Sequence, residues 1–168
     1  MLPRLFFGYF AIVMTVLALV IITRKNPVHS VLWMLVLFFH VAGLYLFLNA
    51  EFLAAVQIIL YAGAILVLFL FVVMMLNLRE EIVSERFGGA WPLGVSVGAF
   101  ILVLIFLSTG NFVQGPVGKY SIEAIRAETQ VKAVGTLLYT EYLFPFEVAS
   151  LILLIAIVGA IVLAKKRS

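Results

Sequence analysis

Long apolar segments alternate with short polar breaks along most of this chain. Five of these segments contain roughly 20 hydrophobic residues each, the length at which an α-helix crosses the hydrocarbon core of a membrane. The pattern predicts an all-α integral membrane protein with five transmembrane helices, at residues 5–23, 28–48, 52–76, 91–108 and 146–164.

Polar residues mark the ends of these helices. Asn26-Pro27 is suited to begin the second helix, because Asn is a preferred cap and Pro fits the first helical position. The third segment, residues 52–76, is longer than a span requires, which indicates a helix that is tilted, distorted or extends past the bilayer. Residues 109–144 form a loop too polar to span, within which residues 121–136 favour a short helix on the membrane surface or on a partner. We therefore treat residues 1–168 as a single membrane domain.

Composition supports the membrane interpretation. The chain is 65% hydrophobic and 11% charged, whereas soluble domains average about 25% charged residues. This excludes a soluble enzyme, a disordered segment and a nucleic-acid-binding module. The chain contains no Cys, so disulfides and thiolate metal sites are excluded as well. His29 and His40 lie on one predicted helix about 16 Å apart, too far to share a metal ion.

The basic residues predict the orientation. Of the 11 Lys and Arg, seven fall on the side of the membrane that holds Arg24, Lys25 and the C-terminus, and four fall on the other side. Because cytoplasmic loops carry the excess of Lys and Arg, the N-terminus is expected outside and the C-terminus inside the cell. Lys119 is then expected on the outer side.

The third helix holds the deepest polar residues. Gln57 and Tyr61 share a helix face, and Tyr61 lies about 13 Å beyond Phe52, near the middle of the bilayer. Ala62, Gly63 and Ala64 follow, so small residues form an uninterrupted run in mid-membrane. Small residues allow close packing against another helix, and they also lower the cost of a wide, distorted turn. The residues alone leave both interpretations open.

Two carboxylates lie near the predicted outer ends of helices. Glu51 precedes the third helix and Glu147 begins the fifth, so each fits either a favourable position near a helix N-terminus or a place on a proton path. The fifth helix also carries a face of small residues suited to helix packing, at Ala149, Ala156, Ala160 and Ala164.

Two blocks of this sequence resemble a known family. The first is NAEFLAAVQIILYAGAI at residues 49–65 with the apolar run to residue 78, and the second is GTLLYTEYLFPFEVAS at residues 135–150. Both resemble the subunit J family of NADH-quinone oxidoreductase, which corresponds to chain 6 of mitochondrial complex I. The segment NPVHS at residues 26–30 also fits the start of the second helix in that family.

The resemblance implies a membrane-arm subunit of a proton-translocating enzyme. Such a subunit binds no cofactor itself, whereas the holoenzyme uses NADH, FMN, iron–sulfur clusters and quinone. The expected partners are the lipid bilayer, the small subunit K and the quinone-site subunits A and H, in a bacterial inner membrane. In this family the third helix carries a π-bulge near the residues that match Tyr61 and Gly63, and its relaxation opens or closes a water path. The resemblance therefore predicts a bulge at residues 60–65 that couples quinone reduction to proton movement.

The sequence is also compatible with other functions. A self-contained ion channel or transporter would place polar groups from several helices at one depth, whereas here only the third helix supplies deep ones. A purely structural packing subunit, or the same subunit in a ferredoxin- or deazaflavin-linked relative of the enzyme, is the closer alternative. On the switch hypothesis, a large side chain at Gly63 is expected to clash with a packed neighbour and to disturb the bulge.

Overall fold

A computed structural model describes residues 2–76, 91–109, 121, 125 and 128–165. Within these residues every regular element is a helix. The chain divides into two compact units, Met1–Val117 and Gly118–Ser168. The prediction of a single membrane domain over residues 1–168 stays a prediction, and Lys119 lies outside the described residues.

The first unit contains four described helices. They are α1 (Leu2–Thr23), α2 (Pro27–Phe47), α3 (Glu51–Met75) and α4 (Trp91–Thr109). Helix α1 packs against α2, and α3 packs against α2 along its length. The central position of α2 follows from the two short turns that join it to its neighbours.

The turn between α1 and α2 is held by side-chain hydrogen bonds. The Asn26 side chain accepts a bond from the Val28 amide at 2.9 Å, and Pro27 occupies the first turn of α2, so the predicted helix start is confirmed. Ser30 Oγ donates to the Ile21 carbonyl at 2.9 Å. This bond ties the beginning of α2 to the end of α1.

The turn between α2 and α3 depends on a left-handed residue. Asn49 has a φ of 57°, a conformation that Asn adopts more readily than most residues. The amide of Ala50 donates to the Tyr45 carbonyl at 2.8 Å, and the amide of Asn49 donates to the Leu46 carbonyl at 3.0 Å. These bonds satisfy the last carbonyls of α2 and allow α3 to start at Glu51.

Four described helices are long and apolar enough to cross a membrane: α1, α2, α3 and the last helix of the chain. The fourth predicted span corresponds to a shorter apolar segment, Pro92–Ser108 of α4. Every described side chain of this segment is exposed. The count of five spans stays a prediction.

The second unit contains α5 (Gln130–Thr140) and α6 (Leu143–Ala164). Ile125 and Glu128 are helical, as expected for the predicted helix at residues 121–136, and α5 follows from Gln130 and ends later than predicted. It continues to Thr140 because Ala133 is buried and the Tyr139 ring packs edge-on against Phe146 of α6, with centroids 5.3 Å apart. Helix α6 begins at Leu143 rather than at 146, because Pro145 stands in the first turn, where its missing amide proton would have no helical partner.

Candidate functional site

The middle of α3 departs from α-helical geometry. Residues Gln57–Ile65 form a π-helix between two α-helical segments, Glu51–Val56 and Leu66–Met75. At its end, the amide of Leu66 donates to the carbonyl of Tyr61, five residues earlier. In an α-helix the same amide would donate to the carbonyl of Ala62. The segment contains Tyr61, Ala62, Gly63 and Ala64, the residues that the sequence singled out.

The buried face of α3 follows the change of helix type. Its buried residues are Ala54, Gln57, Ala62, Leu66 and Val73. The step from Gln57 to Ala62 is five residues, one more than the step that keeps an α-helical residue on the same face. The wide turn thus brings both residues to the side that packs inside the chain.

The remaining predicted residues of this segment lie on the outside. Tyr61 is 45% exposed, and Gly63 and Ala64 are also exposed, whereas Gln57 is only 7% exposed. Gln57 and Tyr61 were expected to share one face, but their exposure differs. The exposed side of the segment is therefore available to a neighbouring subunit, to lipid or to water.

The Tyr61 ring packs against α2. It meets Phe38 edge-on, with ring centroids 6.1 Å apart and an interplanar angle of 76°. Such aromatic pairs contribute about 0.5–1.5 kcal/mol beyond their burial. The contact connects the π-helix to the helix that supports it, and no sequence pattern pointed to Phe38.

Gly63 is crowded by its own helix. A Cβ atom at this position would lie 3.3 Å from the carbonyl oxygen of Ile58, which is tighter than most Cβ contacts. No atom of another described helix lies within 4 Å of that Cβ. The expected clash with a packed neighbour is thus not found within the described chain, because the nearest obstacle is the backbone of the π-helix itself.

The two carboxylates fall in different units. Glu51 is the first residue of α3, and Glu147 is the fifth residue of α6. Both side chains are exposed. Their role on a proton path stays a prediction.

A polar pair connects α1 and α2. Tyr9 Oη and His40 Nε2 are 3.4 Å apart, and His40 Nδ1 donates to the Val36 carbonyl at 2.8 Å. The second bond places the ring proton on Nδ1, so Nε2 accepts from the Tyr9 hydroxyl. These contacts make His40 a hydrogen-bonding residue between two helices, and nothing in the sequence pointed to Tyr9, 31 residues away.

The described part of the chain offers no metal centre. No group of three or more His, Asp or Glu side chains within it is arranged to hold a metal ion. The chain also contains no Cys.

Comparisons with known proteins agree with the resemblance in the sequence. The profile of the NADH-ubiquinone/plastoquinone oxidoreductase chain 6 family matches residues 17–163. NADH-ubiquinone oxidoreductase chain 6 of Marchantia polymorpha is 39% identical, over 96% of this chain and 86% of the relative. NADH-quinone oxidoreductase subunit J of Rhodobacter capsulatus is 38% identical, over 94% of this chain and 79% of the relative. The subunit J of Rickettsia typhi is 36% identical, over 97% of this chain and 80% of the relative. The chain therefore belongs to the NADH-ubiquinone/plastoquinone oxidoreductase chain 6 family and is a membrane subunit of NADH-quinone oxidoreductase, complex I.

Proposed function

We propose that this chain couples quinone reduction to proton translocation through a two-state α3. In one state Gln57–Ile65 is π-helical, and in the other the same residues form a regular α-helix. On this proposal the redox centres belong to other chains of the enzyme, and this chain contributes a change of helix conformation. The π-helix of residues Gln57–Ile65 is the observation that carries the proposal.

Closing the wide turn would rotate the rest of α3. A π-turn holds one additional residue, so its removal turns the following residues by roughly 100° about the helix axis. If Glu51–Val56 stays packed on α2, Ile65 moves into the buried position that Leu66 now occupies. In this structure Ile65 is 54% exposed and Leu66 is 5% exposed, so the two states bury different side chains. A rotation of this size changes which residues line a water path along the exposed side of α3.

The small residues keep the two states close in energy. A ligand can move only an equilibrium whose states differ by a few kcal/mol. Ala62 is buried with little volume to repack, and Gly63 avoids a contact with the Ile58 carbonyl that would disfavour the π-helix. Large side chains at these positions would fix the helix in one state.

The proposal places this chain among other subunits in a membrane. We expect five transmembrane helices, with α4 as the fourth, in a bacterial inner membrane with the N-terminus outside. The small subunit K and the quinone-site subunits A and H are the expected neighbours. NADH, FMN, iron–sulfur clusters and quinone would bind to other chains of the holoenzyme, and Glu51 and Glu147 would be accessory carboxylates.

Replacement of Gly63 by Leu in the assembled enzyme tests this function. The larger side chain meets the Ile58 carbonyl, so we expect fewer protons pumped per NADH and slower quinone-linked turnover. Electron transfer from NADH to an artificial acceptor should be unchanged, since it does not involve this chain. Gly98→Leu in α4 is the matched control, because a Cβ at Gly98 has no described atom within 4 Å. Normal proton pumping by an assembled Gly63→Leu enzyme would contradict the proposal and favour a packing role for α3.

A further inference from the structure

The turn between α1 and α2, at residues 24–26, carries positive charge. No acidic residue of α1 or α2 offsets this charge. Arg24 and Lys25 are both exposed, and none of the first 50 residues is Asp or Glu. His29 is exposed one turn further along the chain. This end of the hairpin is therefore attractive to an anion.

The basic end is fixed in position. The bonds from Ser30 to the Ile21 carbonyl and from the Val28 amide to Asn26 close the turn on both sides. The Arg24 guanidinium lies over the Trp33 ring, 5.7 Å from its centroid, in a cation–π contact. The contact orients the charge of Arg24 toward the surface of α2.

An open apolar groove begins at the same place. It is lined by His29, Leu32, Trp33 and Val36. These residues follow the spacing of one helix face, so the groove extends about 10 Å along α2 from the basic end. Trp33 stands at the boundary between the charged and apolar parts, a position that Trp prefers at membrane interfaces.

We propose that this surface binds an anionic phospholipid. The phosphate would lie near Arg24 and Lys25, and an acyl chain would lie in the groove between Leu32, Trp33 and Val36. The combination favours a lipid over a partner helix, because a positive end next to an apolar groove matches a molecule with one anionic and one apolar part. Each basic residue near an anionic lipid surface contributes about 1 kcal/mol to the free energy of binding, which corresponds to about a fivefold change in affinity.

A photo-crosslink in the holoenzyme tests this site. A benzoylphenylalanine is incorporated in place of Leu32, and the purified enzyme is placed in nanodiscs of equal parts phosphatidylglycerol and phosphatidylcholine. After illumination, the mass of this chain identifies the adduct. We expect phosphatidylglycerol adducts to exceed phosphatidylcholine adducts by about 30-fold, falling to about fivefold in Arg24→Gln and close to parity when Lys25→Gln is added.

The control variant is Arg4→Gln, which removes a basic residue near the other end of α1. It should keep the full preference for phosphatidylglycerol, and a probe in place of Leu153, which is exposed in the middle of α6 and far from any Lys or Arg of that helix, should show no preference of this size. Equal labelling by the two lipids in the parent enzyme would overturn the proposal. A crosslink to another protein chain, or a preference that survives the double substitution, would overturn it as well.

Discussion

Gly43 and Gly63 each occupy a position where a side chain would meet a close neighbour. At Gly43 a Cβ would lie 3.3 Å from two atoms of the Phe10 ring, which packs across the interface between α1 and α2. At Gly63 the neighbour is the Ile58 carbonyl of the same helix. The first glycine thus permits packing between helices, and the second permits a wide turn within one.

We predict that Gly43→Leu weakens the α1–α2 hairpin. Phe10 cannot keep its place beside a larger residue, and overpacking of this kind costs about 1–3 kcal/mol. The measurement is the temperature at which the chain leaves the purified complex. Gly8→Leu serves as the control, since a Cβ at Gly8 meets no described atom within 4 Å. Equal losses in the two variants would show that the Phe10 contact does not matter.

Tyr61 provides a second prediction at this scale. Tyr61→Phe keeps the ring contact with Phe38 and removes only the hydroxyl, so proton pumping should fall slightly. Tyr61→Leu also removes the aromatic contact, worth about 0.5–1.5 kcal/mol, and should disturb the balance between the two states about 2- to 10-fold. The number of protons pumped per NADH in proteoliposomes measures the effect of each substitution. Equal losses in Tyr61→Phe and Tyr61→Leu would assign the main role to the hydroxyl, which both substitutions remove.

Helix α3 shows how much of one secondary-structure element could be predicted from the sequence. Its length and small residues left a distorted turn as one of several possibilities, and only the likeness to the subunit J family predicted a bulge at residues 60–65. The structure has π-helical residues at Gln57–Ile65. The apolar pattern could not locate the turn, because nearly every residue of α3 is hydrophobic and no polar face marks the helix period. The five-residue step between Gln57 and Ala62 appears only when burial is known. Contacts between distant residues, such as Tyr61 with Phe38 and Tyr9 with His40, could not be predicted from the sequence either.

The two-state proposal predicts reciprocal labelling at adjacent positions of α3. Ile65→Cys should react with N-ethylmaleimide while the segment is π-helical and become protected when it is α-helical, whereas Leu66→Cys should do the opposite. The chain has no Cys of its own, so each adduct is read from the mass of the isolated subunit. The comparison uses the enzyme during turnover and with the quinone site blocked. Identical labelling of both positions in the two conditions would argue for a static helix.

At the scale of the whole molecule, the exposed apolar surface requires an environment beyond this chain. Every described side chain of Pro92–Ser108 is exposed, and α6 has no buried residue, including its small residues Ala149, Ala156 and Ala160. Lipid can cover large apolar side chains, but a face of small residues is suited to another helix. The approximate positions of the long apolar helices were predictable because membrane thickness fixes the length of a span, whereas no sequence pattern identifies the partners of these faces.

This surface predicts that the chain is stable only within the complex. Expressed alone in detergent, it should aggregate or be degraded, and co-expression with the other membrane subunits should restore a soluble, folded form. Size-exclusion chromatography with light scattering separates these outcomes. A monodisperse, folded monomer would show that the exposed faces need no partner.

The orientation of the chain gives a further prediction. Lys25→Cys and Lys165→Cys should be protected from an impermeant maleimide in intact cells, whereas Lys132→Cys in α5 should react. The excess of basic residues beside residues 24–25 and at the C-terminus is the physical reason. Labelling at 165 but not at 132 would reverse the topology. Labelling after the cells are opened verifies that each Cys is reactive.

The most direct measurement of the central claim is the hydrogen-bond pattern of α3 in the assembled enzyme, determined by electron cryo-microscopy during turnover and with the quinone site blocked. Two hydrogen-bond patterns are expected. In one, the Leu66 amide donates to the Tyr61 carbonyl, as it does here. In the other, it donates to the Ala62 carbonyl, and the residues beyond are rotated by roughly 100° with Ile65 buried. A single pattern in both conditions, whether π-helical or α-helical, would contradict the two-state mechanism.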